Sequence, residues 1–430
     1  MTTQPAVGVV CKSVGKEAPM SFPPLRFVHA SDFHLERPLG GVAEVPPDKR
    51  ELFLEAPFLA ASQVFETVLA EGADALLLSG DLLDPELAGP RAVVFLRDHF
   101  QRLADHNIPV YWACGEVDAG DTWPASATLP ENVHIFPVGH VADFELLRDG
   151  KPVARIQGIS RTQGVTPDDS GFFCDATGLF TVGVAHGTAA SPGTEGDRVD
   201  YMALGGQHHR QTVDQSPGIA HYCGSPQGRD PSEPGPHGCT LVLVDDAGHI
   251  KTNFVATDAI RWITEVVDIT AGTDEDALMS QIEDRIGKLK TKHHGSELLI
   301  TWQITGCGSV VNHIHAGGIS DKMVEVLRNR YAAHSPGIWT VGIECNAPLD
   351  VPQEWVDEET IMGDLLRDFR KLEEDPDISL DLDEFLPAEY REASLAEIAK
   401  VEPEDRAELL WAASKLGVDL MDGEEILIGA

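Results

Sequence analysis

Apolar residues in the first third of the chain come in short unbroken runs, separated by stretches of helical spacing. Leu25–Ala30 (LRFVHA) reads as a buried strand, and Ala75–Leu78 as a second one that ends in Ser79-Gly80-Asp81. Between them, residues 57–71 carry apolar positions at helical spacing. Residues 90–104 predict a helix with Val93, Leu96, Phe100 and Leu103 inward, and Ile108–Ala113 predicts a third strand ending at Gly115. Strand, helix, strand, helix, strand in this order predicts parallel pairing with right-handed crossovers.

After residue 130 the pattern changes to strand-like pieces at 133–136, 143–148, 153–159, 180–185, 201–205, 219–223, 239–244 and 250–255. The Gly- and Pro-rich tract 224–238 (GSPQGRDPSEPGPHG) reads as an ordered loop. Residues 25–258 thus form one expected domain, α/β first and β-rich later. A second unit, 259–350, reads strand (260–269), helix (274–290), strand (297–304), helix (320–332), strand (338–344) and suits a small cap. Beyond 351, helical patterns at 357–373 and 394–415 flank the acidic stretch 373–384, read as a solvated linker rather than a cation loop. Residues 1–24 read as a loose extension without a signal peptide, and no run of 18 apolar residues predicts a membrane span.

The chain of 430 residues has a formal net charge of -38. Residues 351–430 hold 24 acidic residues against 7 Lys and Arg. This acidity disfavours a broad nucleic-acid-coating surface. Screening over about 8 Å leaves room for a local polyanion site. The seven cysteines are widely spaced, with no CxxC pair, so a disulfide framework or zinc-thiolate site is not expected. Buried thiols in a reducing cytoplasm are the expectation.

Chemistry concentrates just past the ends of the buried strands. Asp32 and His34 follow the first strand, Asp81 and Asp84 the second, and Glu116 and Asp118 the third. His186 follows a later strand (VGVAHG), and Gln207, His208 and His209 another (ALGGQHH). Ligands of open α/β sheets sit outside the carboxyl ends of strands. Five segments therefore aim carboxylates, imidazoles and an amide at one place. Such a set without cysteine suits Mn²⁺, Fe or Zn²⁺, and two such ions can clamp a phosphodiester. Asp84 and Asp118 suit capping or supporting roles better than ligation.

These stretches (DxH, GDxxD, G-x-x-D, AHG, GxxH) resemble the motifs of calcineurin-like metallophosphoesterases. HASDFHLERPLGG and YCGSPQGRDPSEPGPHG resemble the SbcD-type DNA repair exonucleases, especially the bacterial YhaO-like branch. The resemblance covers about 25–258 and extends weakly to about 345. It implies a four-layer metallophosphoesterase β-sandwich of α/β class flanked by helices, with a small α+β cap and a helical C-terminal segment. It implies one metal at Asp32, His34, Asp81 and His209, and another at Asp81, Glu116, His186 and Gln207. In the second set Glu116 and Gln207 depart from the family's Asn and His. Val117 stands at the family's catalytic His, and His208 is a candidate stand-in. The resemblance further implies one or two divalent ions, with Mn²⁺ preferred, hydrolysis of phosphodiesters at DNA ends through a metal-activated water, and an SbcC-like coiled-coil ATPase partner or a homodimer. The departures keep two other readings open: an impaired binding or scaffold subunit, and a phosphoesterase for another substrate.

Arg37, Arg161, Arg210 and Arg229 fall in the expected mouth loops, where each either contacts phosphate or forms a surface ion pair. Residues 285–294 either touch a nucleic-acid backbone or complement a helix C-terminus, and the second is preferred. Trp262, Trp302 and Trp339 are read as core residues in preference to a base-stacking platform.

Overall fold

The computed structural model describes residues 22–375 except 43–44, 46–48, 119–122, 162–170, 174–177, 188–198, 215–217, 271, 294, 308, 316–317, 333–335 and 346–352. It also describes residues 378, 380, 401, 406, 409–410, 413–414 and 416–417. Most of the expected extension 1–24 and of the helix at 394–415 therefore lies outside the described residues. The chain divides into two compact units, Met1–Trp262 and Ile263–Ala430.

The first unit begins with β1 (Leu25–Ala30), α1 (Arg50–Ala70), β2 (Ala75–Leu78), α2 (Pro85–Asp105), β3 (Val110–Trp112) and β4 (Val133–Ile135). It continues with β5 (Ala142–Arg148), β6 (Lys151–Ile159), β7 (Phe180–His186), β8 (Tyr201–Gly205), β9 (Gln211–Asp214), β10 (Ile219–Tyr222), β11 (Gly238–Val244) and β12 (Ile250–Ala256). Two six-stranded sheets result, ordered β12-β11-β1-β2-β3-β4 and β5-β6-β7-β8-β10-β9. β1, β2 and β3 pair in parallel as expected, with β11 antiparallel on the other side of β1.

Alternation along the strands sorts the core into layers. Val28, Leu76, Leu78, Val110 and Trp112 pack with Val64, Phe65, Leu96 and Phe100 of the two helices. Phe27, Leu77 and Tyr111 pack with Phe180, Val182, Val184 and Tyr201 of the second sheet. α1 and α2 flank the first sheet, while Phe172 and Val141 pack against a smaller cluster on the second. α1 is long and apolar enough to cross a membrane by length and composition, yet half of it is buried and Phe53, Val64, Phe65 and Val68 point into the core.

Polar side chains inside the sandwich are paired. His29 is fully buried and bonds Tyr201 Oη at 3.0 Å and Ser79 Oγ at 2.9 Å. His221 lies beside it and bonds Thr212 Oγ1 at 3.0 Å and Thr240 Oγ1 at 2.9 Å. Burial drives the basicity of both rings down, His221 to about 4.

From β13 (Ile260–Ile269), which starts in the first unit, the chain runs through α3 (Glu275–Lys292), β14 (Glu297–Gly306), α4 (Ser309–His315), α5 (Gly318–Tyr331), β15 (Ile338–Cys345), α6 (Gln353–Asp357) and α7 (Ile361–Glu374). The sheet order is β13-β14-β15, and β14 and β15 are parallel. Asp274 caps α3, whose Leu278, Ile282, Ile286 and Leu289 enter the core with Trp302. Trp262 and Trp302 are buried and donate to Gly228 O and Thr340 Oγ1, as core tryptophans do. Trp339 lies under Arg328. Within 285–294, Arg285 pairs with Glu265, Lys290 lies over Tyr331, and Lys290 and Lys292 occupy the last turn of α3.

Candidate metal centre

The loops after β1 and β2 run side by side. Asp32, His34 and Leu35 donate their amides to Gly80, Asp81 and Leu82 carbonyls at 2.9–3.0 Å. These bonds hold the segment that carries Asp32 and His34 against the one that carries Asp81. Asp32, His34 and Asp81 all have positive φ, at 57°, 42° and 55°. Non-glycine residues in that region are costly and cluster at functional sites. Gly80 and Gly115 make the convergence possible. A Cβ on Gly80 would lie 2.6 Å from His186 Nδ1, and one on Gly115 2.2 Å from Asp81 Oδ1.

Two groups of donor atoms meet here. Asp32, Asp81 and His186 offer ligand atoms within 4.8 Å of one another, and so do Asp32, His34 and His208. Asp81 Oδ2 links the groups, 3.3 Å from His186 Nε2 and 3.8 Å from His34 Nε2. Each imidazole has its Nδ1 held. His34 Nδ1 is 3.0 Å from Glu36, His186 Nδ1 donates to Ser79 O at 2.8 Å, and His208 Nδ1 bonds Glu233. Such partners fix ring orientation and leave Nε2 free for a metal. Asp32 itself accepts from Ser31 Oγ and from the Gly206 amide.

The titration of these groups follows from their contacts. Burial pushes the Asp81 carboxyl up, but hydrogen bonding and charge from His186, the Val117 amide and His34 hold it down at about 2. Burial opposes the charged His186 ring, and its contacts with Asp81, then Asp32 and Ser79, raise it to about 9. The Glu233 hydrogen bond raises His208 against the opposing effect of burial.

The sequence-predicted residues divide. Asp32, His34, Asp81 and His186 come together. His208, not His209, completes the group with Asp32 and His34. His209 is exposed, and its ring lies 5.8 Å from that of His237. Gln207 is exposed. Glu116 lies outside the groups. Its side chain pairs with Arg161 at 2.8 Å, while its amide and that of Val117 donate to Asp81 Oδ1 at 2.7 and 3.0 Å.

Asp84 caps α2. Asp118 accepts from the amides of Asp81, Leu82 and Gly115 and from Trp112 Nε1. Burial pushes Asp118 up to about 6. Arg229 is not a mouth residue. It is 5% exposed and donates to the Phe33, His34 and Arg37 carbonyls, because the 224–238 loop braces the loop after β1 from behind. Arg210 is exposed and lies against Thr252 and Phe254, and Arg37 is exposed.

Glu36, Ser79 and Glu233 escaped the sequence reading. Glu36 was visible two residues after His34, whereas nothing local links Glu233 to a histidine 25 residues earlier.

The donors are oxygen and imidazole nitrogen, held in place before any ion arrives, and they fit a hard or borderline divalent cation. No family model matches the chain. The chain is similar to the uncharacterized metallophosphoesterase YhaO of Bacillus subtilis (strain 168), with 29% identity over 335 residues, 74% of this chain and 81% of that protein. That likeness and the two donor groups sharing Asp32 support the metallophosphoesterase family and a divalent metal as cofactor.

Proposed function

We propose that this chain is a metal-dependent phosphodiesterase acting on DNA ends, with Mn²⁺ as its metal. The observation that carries the reading is the pair of donor groups joined through Asp32 and Asp81 Oδ2. Divalent ions there would polarise a phosphoryl oxygen and acidify a water. The chain's own part is to orient three imidazoles through Glu36, Ser79 and Glu233 and to hold Asp81 ionised. Two exposed arginines, Arg37 and Arg210, and the half-buried Arg161 supply positive charge for a polyanion. A Mn²⁺-dependent nuclease assay of the wild type and Asp81→Ala tests the reading. Activity lost in the variant supports it, and equal background in both sinks it. A chromogenic phosphodiester and a monoester run alongside separate DNA from a smaller substrate.

One observation favours a second reading, a metal-binding subunit with impaired turnover that serves an SbcC-like ATPase. Val117 offers its amide to Asp81, but its side chain can neither donate nor accept a proton. Loss of a positioned acid costs about 10²–10⁴ in rate. Restoring histidine at position 117 would then uncover cleavage that the wild type lacks.

A further inference from the structure

The Glu116–Arg161 pair sits at the edge of the Asp81–His186 group and has no part in the donor sets. We propose that Arg161 is the phosphate-contacting residue on this side of the centre, and that Glu116 is its built-in competitor, a carboxylate that occupies the guanidinium until a phosphate displaces it. The proposal deepens the phosphodiesterase reading and rests on it for the identity of the anion.

The placement of Arg161 is fixed by the scaffold. Its amide donates to Cys114 O at 2.8 Å, and the preceding Ser160 Oγ accepts from the Cys114 amide at 2.9 Å and donates to Phe136 O at 2.6 Å. The end of β6 is thus locked to the turn that presents Glu116. The guanidinium lies over Gly187, the residue after His186, where a Cβ would come within 2.5 Å of Nη1. Gly187 in turn lies beside Gly206, whose amide holds Asp32. Arg161 therefore borders Asp32 and His186 through two glycines.

The guanidinium is incompletely used. Glu116 Oε1 takes Nη2, while Nε is buried without a hydrogen-bond partner among the described residues. An arginine fork with an unfilled donor matches an anion with several oxygens, and a phosphate presents more of them than a carboxylate. The Glu116 side chain is 47% exposed, so the pair is screened and weak. Two carboxylates, Asp32 and Asp81, repel an incoming phosphate, which makes a partnered arginine at their rim useful only if its partner can let go.

The test is inorganic phosphate binding to the full chain, by calorimetry with Mn²⁺ and by ³¹P line broadening at millimolar phosphate without metal. The guanidinium contact does not need the ion, so the contrast between variants persists in both. Glu116→Gln should tighten phosphate about tenfold and Arg161→Gln weaken it at least about tenfold. In the Arg161→Gln background, Glu116→Gln should then change nothing. An undiminished Glu116→Gln effect in that background would mean that Glu116 acts by charge alone and overturns the competitor. Wild-type affinity in Arg161→Gln overturns the contact. Arg161→Lys, which keeps the charge and loses the fork, should fall between, and serves if the glutamine variant does not fold. Loss of metal or turnover with these contrasts intact would count against the phosphodiesterase reading alone.

Discussion

His208 turns its Nδ1 to the Glu233 carboxylate, and this one bond ties the Gly- and Pro-rich loop to the imidazole that shares a donor group with Asp32 and His34. Burial would push Glu233 up, yet the hydrogen bond and charge of His208 hold it at about 2. Among the described residues, the neighbouring His209 has no such anchor. His208→Asn should therefore lose bound metal after dialysis, while His209→Asn should keep it, as read by elemental analysis. The opposite pattern would return the ligand role to His209.

Glu233→Gln keeps the shape of the brace but removes the charge. Metal affinity should fall about 10–100-fold, and the unfolding free energy should fall with it, because the fold holds the Glu233 carboxyl at about 2. Titration with a fluorescent competitor chelator, paired with urea unfolding, measures both.

Metal binding should release protons. In the metal-free protein His186 titrates at about 9, above the ordinary value of 6.5, so it is charged at pH 7.5. An ion must displace that proton. Affinity should rise with pH up to about 9, and calorimetry at pH 7.5 in two buffers of different ionisation enthalpy should show about one proton released. In metal-free protein the same ion pair stabilises the fold fully below 6.5 and ceases to do so as pH climbs through about 9. His186→Gln should abolish both effects.

Arg229→Met should destabilise the first unit by about 3 kcal/mol or more, because it takes a buried guanidinium away from three carbonyls and from the nearby Glu233 carboxylate. Urea unfolding reads this. A loss under about 1 kcal/mol would contradict the bracing role.

Stability should fall in mild acid. His29 and His221 are neutral in the fold, with basicity below that of the unfolded chain. Below pH 6.5 the unfolded chain binds protons that the fold refuses, so each ring removes about 2 kcal/mol by pH 5. His221→Gln should flatten the slope between pH 7 and 5, whatever its effect at pH 7.

The strands of the first sheet and the Asp32, His34, Asp81 and His186 set were legible because a short buried run followed by a polar pair is a local pattern. Helix starts were not. Reading α1 from 57 and α2 from 90 begins each at a proline, a residue suited to a first turn. The structure carries α1 through Pro57 from Arg50, and α2 through a kink at Gly89, φ 68°, from Pro85. The short α4 and β9 have too few residues to show a period. Arg229 looked like a mouth residue because its loop is polar and Gly-rich, and its burial depends on carbonyls from a segment nearly 200 residues away. The choice between His208 and His209 depended on the turn after β8, which a tandem histidine pair does not encode.

Ser79 faces two ways. Its hydroxyl meets His29 inside the sandwich, and its carbonyl holds His186 at the centre. An engineer who repacked the sandwich for heat resistance would be retuning metal retention with the same substitutions. A screen for thermal tolerance alone would gather variants whose chemistry had drifted unnoticed.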